Sequence, residues 1–311
     1  MGRIDYEDWL VCGRSRDVIQ ALTGGNDRYL DAEDKLLLGY AFFNEKAFDE
    51  AISIAQQIDN RASGKLLLAL CFVAMGDADK ARGAATAIES DERGVRLAAE
   101  LWIAASVQDW SHTSELAEQI LELPEVDPWA LVVVAMLGFI ESDPRLLRRA
   151  SLHVCGHPRS QTLLSARIYA ELLEGKKLAS SLHAALQELT SEAYRPNAMT
   201  CYVVGRYFFS VNELEEARSW LTRSFERFEG DYEVPAYLAC VELRLGHLNQ
   251  SVQWANQALA LRPHGQRAMR CKVVALARMR RFGLAVATFL KWRRAWRRMM
   301  TEDAEGNRVL P

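Results

Sequence analysis

A pattern that recurs every 34 residues limits what this chain can fold into. Gly205 is followed by Asn212, Leu214 and Ala217, and the same intervals, 34 residues on, fall on Ala239, Gly246, Leu248 and Ser251. After another 34 they fall on Val273, Arg280, Phe282 and Ala285. A unit of that length holds two helices and cannot bury its apolar face alone, so neighbouring units must stack into one continuous core. Earlier copies keep the intervals at Gly39, Phe48 and Ala51, and at Ala69, Gly76, Ala78 and Ala81. Small residues at Gly39 and Ala51 predict a close crossing of the two helices of a hairpin, since a larger side chain would separate the backbones.

With 311 residues the chain exceeds what one closed core usually supports, and the repeat resolves that length into an array. Residues 1–30 read as an N-terminal capping helix pair, with Ile4, Trp9 and Leu10, then Val18, Ile19 and Leu22, closed by Gly24-Gly25. Asp31 opens the regular repeats of residues 31–89 as an N-cap. Residues 90–196 are divergent but still punctuated as helices. Ser90 and Ser111 offer caps, and Asp127-Pro128 and Asp143-Pro144 place proline at the first helical position. Leucine stripes over residues 163–173 and 178–189 break at Gly175. The run Val132-Val133-Val134 favours a strand locally, but no partner strand exists and the helical context overrides it. Regular repeats return over residues 197–300 and end in a basic capping helix, with residues 301–311 as a tail. The internal prolines all fall at predicted boundaries, where their missing N–H costs nothing. The expected fold is all-α, a solenoid of eight to nine antiparallel hairpins.

At Gly205 to Ala217, Ala239 to Pro263, Gly39 to Ala51 and Ala69 to Ala81 the chain resembles the tetratricopeptide repeat (TPR) family. That pattern has a small residue in the first helix, alanine in the second, and a closing proline such as Pro263. Lys46, Asn212 and Arg280 stand where the family usually has glycine, and the middle section lacks both small residues. The resemblance implies a right-handed superhelix whose first helices line a concave groove for a peptide or partner helix. The implied partner-binding residues are Tyr40, Phe43 and Leu70, with Leu36, Leu66 and Val73, near the start. Later come Tyr202, Arg206, Phe209, Tyr237, Arg244, Arg270 and Arg278. A competing reading makes the apolar members inter-repeat core and the arginines a solvated face. The lysine–asparagine–arginine carboxylate clamp of some family members has no counterpart in these first repeats.

Residues 262–298 carry twelve Lys and Arg and no acid, +12 in a chain of net charge −3, so the remainder carries −15. Arg280, Arg281, Arg293, Arg294, Arg297 and Arg298 form the basic C-terminal patch. An acidic protein partner, a solubilising cap, and nucleic acid or anionic membrane are the competing explanations. Trp292 and Trp296 share a helix face, either as a basic amphipathic helix or with Trp292 as a last core residue. Head-to-tail self-association of acidic and basic ends is a further option.

No phosphate loop, nucleophile elbow, His-Glu-x-x-His or dinucleotide fingerprint occurs. His153, Cys155 and His157 lie close together, but tetrahedral zinc needs about four ligands. We therefore expect no metal, no cofactor and no enzymatic activity. Cys12, Cys71, Cys155, Cys201, Cys240 and Cys271 are widely spread, which fits reduced thiols in a cytoplasmic protein. Asp5, Glu7 and Asp8 occupy the place of the basic start of a secretory signal. The longest uncharged apolar run, residues 129–140, is short of the roughly 20 residues a membrane span needs. The expected function is a protein-interaction scaffold or adaptor, with a chaperone or accessory subunit of a bacterial secretion or assembly system as an alternative. A nucleic-acid-associated regulator is the next reading.

Overall fold

The computed structural model describes residues 10, 13–24, 30–58, 61–89, 92–123, 126, 128–152, 160–175, 180–191, 194–228 and 230–304. Among them there are seventeen helices and no strand. The chain divides into two compact units, Met1–Pro196 and Asn197–Pro311.

The first unit opens with α1 (Ser15–Thr23) and continues as five hairpins. These are α2 (Ala32–Asn44) with α3 (Phe48–Gln56), α4 (Ala62–Ala74) with α5 (Ala78–Thr86), and α6 (Arg93–Ser106) with α7 (Trp110–Leu121). The remaining two are α8 (Pro128–Glu141) with α9 (Pro144–Leu152), and α10 (Gln161–Leu173) with α11 (Ser180–Leu189). The second unit holds three: α12 (Ala198–Ser210) with α13 (Leu214–Arg227), α14 (Glu233–Leu245) with α15 (Leu248–Leu261), and α16 (Gln266–Arg278) with α17 (Phe282–Ala304). In both units each first helix packs on its own second helix, and α4 on α6, α6 on α8 and α14 on α16 carry the stack from repeat to repeat.

Local chemistry sets the helix starts. Asp31 accepts hydrogen bonds from the Glu33 and Asp34 amides at 3.0 and 2.8 Å, and Asn197 from that of Thr200 at 2.8 Å, pairing donors that have no intrahelical partner. Asp109, not Ser111, caps α7, through the His112 amide at 3.2 Å. Pro128 and Pro144 are first residues of α8 and α9, and the valine run lies inside α8. Ile4, Trp9, Cys12, Gly25, Ser90, Pro124, Asp127, the residues 153–159 and the tail from 305 lie outside the described residues.

One device recurs at the hairpin turns. A single residue with left-handed backbone stands at each turn: Lys46, Gly76, Gln108, Ser142, Gly175, Asn212, Gly246 and Arg280, with φ between 54° and 87°. At seven of these eight turns the amide after it is described, and it reaches back five residues. Ala47 donates to Phe42 O at 2.9 Å, Asp77 to Phe72 O at 2.8 Å, Asp143 to Gly138 O at 3.0 Å and Arg281 to Leu276 O at 2.9 Å. This is the Schellman closure, which satisfies carbonyls at the helix end. It explains how Lys46, Asn212 and Arg280 replace glycine, and it recurs in the divergent section after Gln108 and Ser142.

The close approaches differ in part from the sequence expectation. A Cβ on Gly205 would lie 2.7 Å from Leu221 Cγ within its own hairpin. A Cβ on Gly39 would instead meet Leu67 of the next repeat at 2.6 Å, with Ile54 of its own hairpin at 3.4 Å. In the divergent section Gly138 takes over this role, since a Cβ there would lie 2.9 Å from Leu147 Cγ and 3.2 Å from its amide nitrogen. Within the first unit the turn at Gly13 packs beside Gln161 and Arg195. Gly13, at φ 80°, leaves no space for a side chain beside the Arg195 carbonyl and Gln161, and Leu10 is buried. No described helix is long and apolar enough to cross a membrane.

Candidate partner-binding face

The repeat places Tyr202, Arg206 and Phe209 along α12, Glu233, Tyr237 and Arg244 along α14, and Arg267, Arg270 and Arg278 along α16. Helical spacing puts Tyr202 and Arg206 one turn apart, and the Arg206 Nη1 donates to the Tyr202 hydroxyl at 2.8 Å. The rings form an edge-to-face row, with Tyr202 to Tyr237 at 6.0 Å and Phe209 to Tyr237 at 5.6 Å between centroids. Guanidinium groups cover them. Arg206 lies 4.3 Å from the Tyr237 centroid, Arg267 lies 4.0 Å from it, and Arg244 lies 4.7 Å from that of Phe209. Such contacts are worth about 0.5–2 kcal/mol each, more as water is excluded.

Two of the arginines also fasten repeats together. Arg244 Nη1 donates to Phe209 O at 3.3 Å, and one repeat later Arg278 Nη1 donates to Leu243 O at 3.2 Å. Each reaches back to the negative, carbonyl end of the preceding first helix. Arg267 is ion-paired with Glu233. Burial opposes the charge on Arg267, but Glu233 and the Tyr237 and Tyr202 hydroxyls outweigh it, so its pKa lies above the ordinary arginine value. The guanidinium over Tyr237 is therefore a fixed positive charge.

The predicted residues separate into two sets. Tyr40, Leu66 and Leu70 are buried, as are Tyr202 and Tyr237. In the first unit this is inter-repeat core, and Tyr40 and Leu70 offer a partner no surface in this structure. Phe43 is half-buried and pairs with Phe48 at 5.8 Å. Arg206 and Phe209 are half-buried, and Arg244, Arg270 and Arg278 are exposed. The surface available to a partner is thus guanidinium over aromatic, not bare ring.

Of the basic C-terminal patch, Arg280, Arg281, Arg293, Arg294 and Arg297 are exposed on or beside α17, and the Arg298 side chain lies outside the described residues. Trp292 is half-buried and donates Nε1–H to His264 O at 3.2 Å, which holds α17 against the loop before α16, and Trp296 stacks beside it at 5.6 Å. Burial, reinforced by the positive field of Lys291, holds Lys272 below the ordinary lysine value. The sequence reading missed the apolar side of α17, where Phe282, Leu284, Val286, Phe289 and Leu290 are exposed. Arg267 was also missed as a member of the face; Glu233 stands 34 residues before it with opposite charge, a signal the period itself contains.

A solvent-open hollow of about 660 Å³ lies between α13 and α15, lined by Arg218, Thr222, Gln250, Gln253 and Trp254 among others. It shares no residue with the aromatic–arginine row. The row has three first helices converging on it, whereas the hollow is a polar seam between second helices, so the row is the better candidate. No group of three or more His, Cys, Asp or Glu able to hold a metal occurs among the described residues.

The helices, hairpin turns and stacking define the class: an all-α chain of TPR-like helical repeats. No family profile and no curated protein matches the chain. Among solved structures it is similar to the human IFIT1 dimer with m7Gppp-AAAA, at 12% identity and TM-score 0.53, over 94% of this chain and 73% of that one. The human IFIT1 dimer with PPP-AAAA matches at 12% identity and TM-score 0.51, over 94% and 72%. The APC/C hetero-tetramer Cut9-Hcn1 matches at 16% identity and TM-score 0.42, over 88% of this chain. The chain spans about half the length of that Cut9-Hcn1 chain, 49%. At these identities the likeness is one of fold.

Proposed function

We propose that this chain is a non-enzymatic protein-interaction scaffold whose second unit receives an acidic peptide or partner helix across α12, α14 and α16. The observation that carries this reading is the guanidinium row. Arg206, Arg244 and Arg267 are held over aromatic rings, with Arg270 exposed on the same helix as Arg267. Charges already ordered by ring stacking lose little rotamer freedom when a carboxylate arrives, and a guanidinium matches a carboxylate in two-point geometry. Complementary charge gives orientation and a fast encounter, and the partly covered Phe209 adds apolar contact. An accessory subunit or chaperone for an acidic client is a narrower form of the same reading, and it fits a protein acting in the cytoplasm.

Binding of a Glu-rich helical peptide tests it, with Arg206→Gln/Arg270→Gln as the comparison. The expected result is at least a tenfold loss of affinity in the double variant; equal affinity sends the binding site elsewhere. A second reading is favoured by the acid-free +12 segment and by the RNA in the IFIT1 structures, namely binding of RNA phosphates. Phosphate binding must weaken steeply and log-linearly with salt. An RNA oligonucleotide that does not bind at low salt removes this second reading.

A further inference from the structure

Cys240 on α14 and Cys271 on α16 face each other across adjacent repeats with their Sγ atoms 3.0 Å apart, within S–H···S hydrogen-bonding distance. They occupy the same pair of repeat positions as Arg206 and Tyr237 one repeat earlier, where a guanidinium stacks on a ring. At this junction the stacked pair is replaced by two thiols. Cys271 belongs to a buried cluster otherwise made of alanines, Ala236, Ala239, Ala255, Ala258 and Ala268, and Cys240 packs against that cluster beside Tyr232, Leu243, Trp254 and Leu259. Cys271 is buried, whereas Cys240 is only partly covered.

We propose that Cys240 and Cys271 are a dithiol modification site that closes to a reversible disulfide when the protein meets a hydroperoxide. The two sulfurs need to approach by about 1 Å to reach disulfide bonding distance. The electrostatics assign the roles. The hydrogen bond from Cys271 favours the Cys240 thiolate and outweighs burial; the positive charges of Arg267 and Arg244 add to it and the carboxylate of Glu233 opposes it, so Cys240 lies below the ordinary thiol value. The same hydrogen bond and burial push Cys271 upward and keep its proton in place.

Cys240 is then the attacking group, because the thiolate and not the thiol is the nucleophile. Its sulfur attacks one peroxide oxygen, the O–O bond breaks, and the leaving alkoxide or hydroxide takes a proton from water. This leaves a sulfenic acid on Cys240. The Cys271 sulfur attacks the Cys240 sulfur, the S–O bond breaks, and hydroxide departs with the Cys271 proton as water. Two thiols have lost two electrons and the peroxide has gained them. The bond would tie together the two first helices that carry Tyr237, Arg244 and Arg267. Cys71 and Cys201 do not compete, since both are fully buried and burial pushes them up to about 12 and about 11.

The test uses the reduced full chain, treated with hydrogen peroxide, alkylated, digested and weighed by mass spectrometry. The expected product is a cross-linked peptide pair containing Cys240 and Cys271, lighter than the free dithiol pair by two hydrogen atoms and lost on adding a thiol reductant. The readout is on the unaltered chain, so no variant has to fold. The proposal is overturned if both cysteines are recovered alkylated, if Cys240 stops at a sulfinic acid, or if Cys240 is found joined only to Cys12, Cys155 or a second chain.

Discussion

Tyr40 and Leu70 in the first unit and Arg206 in the second occupy one repeat position, immediately after the small residue of the first helix. Their fates differ. Tyr40 and Leu70 are buried as core, whereas Arg206 is half-buried and lies over Tyr237. Tyr202 is the counterpart of Leu66 and is also buried, yet its hydroxyl is capped by a guanidinium rather than by more hydrocarbon. A repeat frame therefore fixes where a side chain is delivered, and the residue delivered decides between apolar core and a charged, partly exposed face. Arginine makes the second outcome possible, because it covers an aromatic row and keeps a charge in water.

The largest effect that would break this contrast is on stability. Tyr237→Ala removes the ring on which Arg206 and Arg267 both rest. Denaturant unfolding should show a loss of about 3–5 kcal/mol for the second unit, as for other buried aromatics. Tyr40→Ala should cost as much in the first unit. If Tyr237→Ala were nearly neutral, the ring would be a surface residue and the two units would not differ in the way described. Next in size is Gly205→Val, whose side chain must displace Leu221. A cost of about 1–3 kcal/mol is expected, and Gly76→Ala, with open space around it, should show only the smaller strain of its left-handed backbone.

A smaller effect sharpens the same contrast. Arg206→Gln leaves the Tyr237 ring in place and loses a cation–π contact, so stability should fall by about 1 kcal/mol while acidic-peptide affinity falls far more. A stability loss as large as that of Tyr237→Ala would reassign Arg206 to the core. The smallest effect concerns the shared turn. Lys46→Gly and Arg280→Gly each relieve a left-handed non-glycine residue, one in each unit, and each should raise stability by about 1 kcal/mol in denaturant melts. A gain in one unit only would show that the turns are not equivalent.

Much of the fold was legible because periodicity and punctuation are local. The 34-residue step located the regular hairpins, the prolines located α8 and α9, and Asp31 marked a helix start through chemistry confined to four residues. The left-handed turns were not legible at Gln108 or Ser142, since that conformation is imposed by the backbone closure and not by the residue type. Gly138 was overlooked because it stands three residues after the position where the frame holds Gly39 and Gly205. Within the candidate face, the arginines and rings were identifiable one by one, but their stacking depends on neighbours a full repeat away. The Arg267–Glu233 pair and the Cys240–Cys271 contact belong to that class. Burial of Tyr40 and Leu70 depends in turn on tertiary packing within the first unit, which no window of sequence contains.

Hydrogen–deuterium exchange of the full chain, with and without a saturating Glu-rich helical peptide, tests the central claim most directly. Added protection should be confined to α12, α14 and α16, with α2 and α4 exchanging as in the free protein. Protection concentrated on α2 and α4, with none on α12 and α14, would contradict the assignment of recognition to the second unit.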